Sequence, residues 1–71
     1  LASLSALSGT DYDVRWLDLM IEHHEGAVTL ADVEATEGSD SDLRSLARRI
    51  ADAQRDEIDK MRELRGSLVD G

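Results

Sequence analysis

Cysteine and proline are both absent from this chain of seventy-one residues. Without cysteine there are no disulfides, no thiolate metal sites and no thiol catalysis. A cysteine-free chain tolerates an oxidising compartment as well as a reducing one, so the compartment stays open on this ground. Without proline, long helices meet no obligatory interruption. Basic charge is scarce: eight Lys and Arg stand against sixteen Asp and Glu, for a net charge of −8. That balance argues against nucleic acid as a partner, because binding there depends on neutralising phosphates with clustered cations. It disfavours an anionic membrane surface for the same reason. No apolar run approaches the roughly 20 residues needed to span a bilayer. The chain opens on Leu1 with no visible signal peptide, consistent with a mature or truncated piece.

Catalytic signatures are missing as well. The Glu-x-x-His pair of di-iron bundles does not occur, since Met20 and Ile21 stand three residues before the histidines. His-Glu-x-x-His fails because Val28 occupies the position of the second zinc ligand. There is no Gly-rich phosphate loop and no Gly-x-Ser-x-Gly elbow. The expectation is a protein that is not an enzyme.

What is present is helix. A chain this short forms one small domain (residues 1–71) or a fragment of a larger one. Such domains bury only about 60% of the surface that the unfolded chain exposes. Richness in Ala, Leu, Glu and Arg points to an all-α fold. Thr10 fits an N-cap with Asp13 in an acidic first turn, Gly38 suits a C-cap, and Ser39, Asp40 or Ser41 suits the next N-cap. Gly66 and Gly71 mark fraying at the end. The reading is a short lead-in over 1–9, a helix over about 11–37 and a second over about 41–65. Leu1, Leu4 and Leu7 in the lead-in suggest a helical turn. The short connection makes the two long helices an antiparallel hairpin.

At about 100° per residue, Leu17, Met20, Ile21, Ala27, Val28 and Ala31 form one apolar stripe centred on His24. Leu43, Ala47, Ile50, Ile58 and Met61 form the second helix's stripe, which also holds Gln54 and Glu57. Two long stripes cover each other only partly. A four-helix bundle, completed by dimerisation or by a second hairpin, is therefore expected.

The only two histidines, His23 and His24, are adjacent. Rings about 100° apart on one helix do not converge on one ion, so His24 turns toward the hairpin partner and His23 toward a third helix or solvent. Met20 and His24 lie one turn apart, as do Glu57 and Met61, and the hairpin brings His24 near Gln54, Glu57 or Met61. Imidazole with thioether and carboxylate suits copper better than magnesium or calcium. The plainer reading is a buried His–Glu–Gln network that fixes helix pairing without any ion, with methionine as packing material. Asp13 lies on the stripe side, where capping suffices to explain it.

The run Asp13-x-x-Trp16-Leu17-x-x-Met20-Ile21-x-His23-His24-x-Gly26-Ala27-Val28 resembles the signature of the domain of unknown function 305 family. Leu46-Ala47-x-x-Ile50-x-x-x-Gln54-x-x-Glu57-Ile58-x-x-Met61 continues the resemblance. It implies a ferritin-like helical bundle, commonly secreted, periplasmic or attached at the cell surface. The chain is similar to the second, C-terminal hairpin of longer members. Some members are linked to copper or silver binding, so the resemblance implies copper as the cofactor to expect, with Asp13, Met20, His23, His24, Glu57 and Met61 as candidate ligands and Gln54 as a further matching position. Many members carry Met at the position of Leu30 and Pro at that of Glu22, so this chain has one thioether fewer.

Overall fold

Two helices and a three-residue turn make up the computed structural model, which describes residues 9–70. α1 spans Gly9–Glu37 and α2 spans Ser41–Asp70. They run antiparallel as a hairpin, and there is no strand among the described residues. The Leu1, Leu4 and Leu7 turn expected from the sequence lies outside the described residues.

Both ends extend beyond the expected limits. Thr10 does not cap α1, because Gly9 and Thr10 are already helical. The break falls at Gly9, whose φ of 59° is in the left-handed region that glycine enters without steric cost. α2 continues past Arg65, through Gly66, to Asp70. A mid-helix glycine costs about 1 kcal/mol relative to alanine. Contacts oppose that cost: Arg65 Nε donates to Asp18 of α1 at 2.5 Å, and half-buried Leu68 lines a groove with Val14.

The turn is closed from both sides. Gly38 N–H donates to the Glu34 carbonyl at 2.9 Å, and a Cβ at Gly38 would stand 2.6 Å from that oxygen. Of the three N-cap candidates, Asp40 takes the role: its Oδ1 accepts the Leu43 N–H at 2.8 Å. α1 has no basic residue in its own last turn. α2 supplies the charge instead, with Arg44 donating to the Gly38 carbonyl at 2.9 Å and Arg48 to the Ala35 carbonyl at 3.3 Å. Both place positive charge at the negative end of the α1 dipole.

Small side chains form the seam near the turn. Ala31 and Ala35 of α1 and Ala47 and Ala51 of α2 are buried, and Leu17 and Ile58 carry the seam toward the open end. Alanine lets helix axes approach closely. Leu43 and Ile50, expected in the α2 stripe, are instead 45% and 43% exposed. They sit on the flank of α2, where one hairpin partner does not reach.

The hairpin is one helix thick, 46 × 25 × 12 Å. Its two broad faces differ. On one, Asp18, Glu25 and Asp32 recur every seven residues along α1 and pair with Arg65, Arg62 and Arg55 of α2 at 2.5, 2.8 and 2.6 Å. A heptad interval keeps one line of side chains beside the partner helix. Asp18 raises the Arg65 pKa above its ordinary value, by hydrogen bonding first and charge second. The other face carries Trp16, Leu30, Leu46, Ile50 and Leu64, all exposed. The consecutive residues His23, His24 and Glu25, about 100° apart, mark the apolar face, the seam and the charged face.

Candidate metal centre

His24 sits in the seam because it lies two turns from Leu17 and Ala31, the buried residues on either side of it. Its ring is fixed by its own helix: Nδ1 lies 2.8 Å from the Met20 carbonyl oxygen. A carbonyl only accepts, so Nδ1 carries the proton and donates it. Nε2 is thereby left to face α2, where Glu57 Oε1 lies 3.4 Å away.

That pairing has a definite electrostatic requirement. In the neutral ring with Nδ1–H, Nε2 presents a lone pair to a carboxylate oxygen, and the two repel. A proton on Nε2, or a cation held between the two atoms, turns repulsion into attraction. Were a cation bound there, His24 Nε2 and Glu57 Oε1 would be the two atoms nearest to hold it. A ligating imidazole that donates its other N–H to a backbone carbonyl is also the usual outer-shell arrangement.

Met20 and Met61 line the same groove, of about 370 Å³, together with His24, Glu57, Trp16 and Leu64. Four of the six residues singled out in the sequence are thus brought together. The other two are not. His23 lines a neighbouring groove with Leu19, Met20 and Leu30, and its ring centroid is 6.2 Å from that of His24. Asp13 lines a third groove with Trp16, Leu64 and Leu68.

Of the His–Glu–Gln network expected from the sequence, the single hairpin brings together His24 and Glu57 at its seam. No polar or charged residue is buried among the described residues, and the Glu57 side chain is 56% exposed while that of His24 is 13% exposed. Glu57 reaches the edge of the seam from the flank of α2, so water keeps access to its carboxylate.

Sequence reasoning missed two participants. Lys60 lines the groove one turn after Glu57, placing a positive charge at its mouth. The Asp/Glu–Arg ladder was missed too, although its seven-residue spacing is written in the chain.

The donor set has a clear character. No group of three or more His, Asp or Glu side chains gathers among the described residues. Zinc sites draw at least three such ligands from the protein in the common cases, and calcium and magnesium take oxygen shells. One imidazole, one carboxylate and two thioethers make a softer set.

The family model for a domain of unknown function (DUF305) matches residues 1–65. The chain belongs to the DUF305 family. Within this DUF305 chain, both stretches that carry the resemblance lie on the helices just described, one on each arm of the hairpin. No curated protein and no solved structure matches it.

Proposed function

We propose that this DUF305 chain is a non-enzymatic copper-binding protein, with His24 Nε2 as the principal donor. Glu57 supplies a carboxylate, and Met20 and Met61 supply thioethers. One observation carries the reading: the Nδ1–H bond to the Met20 carbonyl turns Nε2 toward Glu57 in a groove lined by both methionines. Thioether ligands select Cu(I) over harder divalent ions. An extracytoplasmic location, which the family resemblance implies, accords with such a role.

Anaerobic titration of the purified, untagged chain with Cu(I), and separately with Cu(II), tests the proposal. One Cu(I) per chain with a sub-micromolar Kd is expected, weakening at least about 10-fold in His24→Ala. Binding no tighter than micromolar, or binding indifferent to His24→Ala, overturns it.

A second reading draws support from the exposed apolar face. On it the hairpin is a helix-pairing module, and the His24–Glu57 contact sets the register of its helices without metal. His24→Ala then lowers the melting temperature of a metal-free protein.

A further inference from the structure

The apolar face is too large for a free hairpin. Of the nine large hydrophobic side chains exposed among the described residues, six lie along it, and the opposite face carries the ion-pair ladder. Trp16 and Leu30 of α1 and Leu43, Leu46, Ile50 and Leu64 of α2 are between 43% and 75% exposed. A monomer seldom leaves so extended an apolar patch in water.

We propose that two copies of this chain pack apolar face to apolar face into a four-helix bundle. The inference rests on the helix-pairing reading of the hairpin and is independent of copper. The area fits. Each face is 46 Å long and 25 Å wide, so closing one on its copy removes on the order of 2,000 Å² from water, counting both copies. Obligate homodimers begin at that size. Charge fits as well. Each copy carries −8, but the acidic residues of the ladder are already paired with arginine on the outer faces. An apolar face is complementary to itself. The charge that remains repels across the bundle only within a Debye length of about 10 Å at 0.1 M salt.

The symmetry has a consequence for the histidines. A two-fold axis relating two stacked layers lies in the plane between them. Running along the helices, it keeps every residue at its own level. Running across them at mid-length, it keeps the middle residues at theirs. His23 is the middle residue of α1, and Glu57 lies near the middle of α2. Either axis therefore brings His23 of both copies into the layer that holds both His24–Glu57 pairs. The two adjacent rings that diverge within one chain then share one level of the bundle with those of the second copy.

Sedimentation equilibrium of this 71-residue chain, over micromolar to hundred-micromolar concentrations, tests the inference. A mass of twice 7.8 kDa is expected, with dissociation weakening as salt rises. A folded 7.8 kDa monomer throughout, or any other stoichiometry, overturns it. Trp16 is the single tryptophan and needs no mutation as a probe: its emission shifts to the red on dilution, and an emission independent of dilution across the dissociation range counts against the face. Ile50→Lys should weaken dimerisation by roughly 100-fold, whereas Val33→Lys, exposed but off this face, leaves it unchanged. Equal effects of the two overturn the proposed face. A nitroxide on His23→Cys should give a distance between copies below about 30 Å, set by the width of a four-helix bundle. A longer one removes the shared histidine layer. A dimer without copper binding overturns the copper reading alone, and a copper-binding monomer overturns the dimer alone.

Discussion

His24 and Glu57 meet across the helix seam with Nε2 and Oε1 3.4 Å apart, while Nδ1 of the same ring is held by the Met20 carbonyl at 2.8 Å. The imidazole is thus oriented by its own helix and offered to the other. The hydrogen bond at Nδ1 comes from α1 itself, and the contact at Nε2 comes from α2.

Replacing both methionines, Met20→Leu with Met61→Leu, keeps volume and apolarity and removes sulfur. Thermal stability is expected to change by less than about 1.5 kcal/mol, while Cu(I) affinity falls at least about tenfold. Calorimetric or competitive titration of the double variant reads the affinity. Lys60→Gln should act oppositely, tightening Cu(I) by roughly two- to fivefold through loss of a nearby like charge.

Ala51 is 1% exposed, at the alanine-lined part of the seam. Ala51→Leu forces the axes apart and is expected to cost about 1–3 kcal/mol. Ala53→Leu, two residues on but exposed, should change stability by less than about 0.5 kcal/mol. Urea unfolding followed by circular dichroism separates the two, and similar losses would contradict the seam described here.

Asp40 caps α2 through its bond to the Leu43 N–H. Asp40→Ala is expected to remove about 1 kcal/mol and Asp40→Asn much less, because asparagine keeps the accepting oxygen. The comparison needs only thermal melts of both variants. A cost for Asn equal to that for Ala would show that charge, and not the cap, matters at this position.

Each rung of the ion-pair ladder is partly exposed, with the Arg65 and Asp18 side chains 39% and 36% accessible. Asp18→Asn should therefore cost no more than about 1 kcal/mol, and less at high salt. Melts at low and high salt check this. A large loss that salt does not diminish would assign the pair a role that its exposure does not support.

Much of this was legible in the chain. Apolar residues at helical spacing gave α1 and α2, and Gly38 to Ser41 gave the turn between them. Residues one turn apart, Met20 with His24 and Glu57 with Met61, shared a face for the same reason, and antiparallel pairing then put them in one groove. α2 runs past its expected end because contacts around Arg65 and Leu68 oppose the intrinsic cost of Gly66. Depth was not legible, because a helical wheel gives angle alone: Glu57 falls at the edge of the stripe, where the single hairpin leaves its side chain 56% exposed.

The adjacency of His23 and His24 is a fact of sequence, and a helix of 3.6 residues per turn already forces their rings apart. Sequence alone therefore determined two helices, their order and the divergence of the two histidines. Tertiary structure decided that His24 turns Nε2 toward Glu57, and that His23 stands on an open apolar face. Those outcomes depend on the register and thickness of the hairpin, which arise from contacts between residues 13 to 47 positions apart.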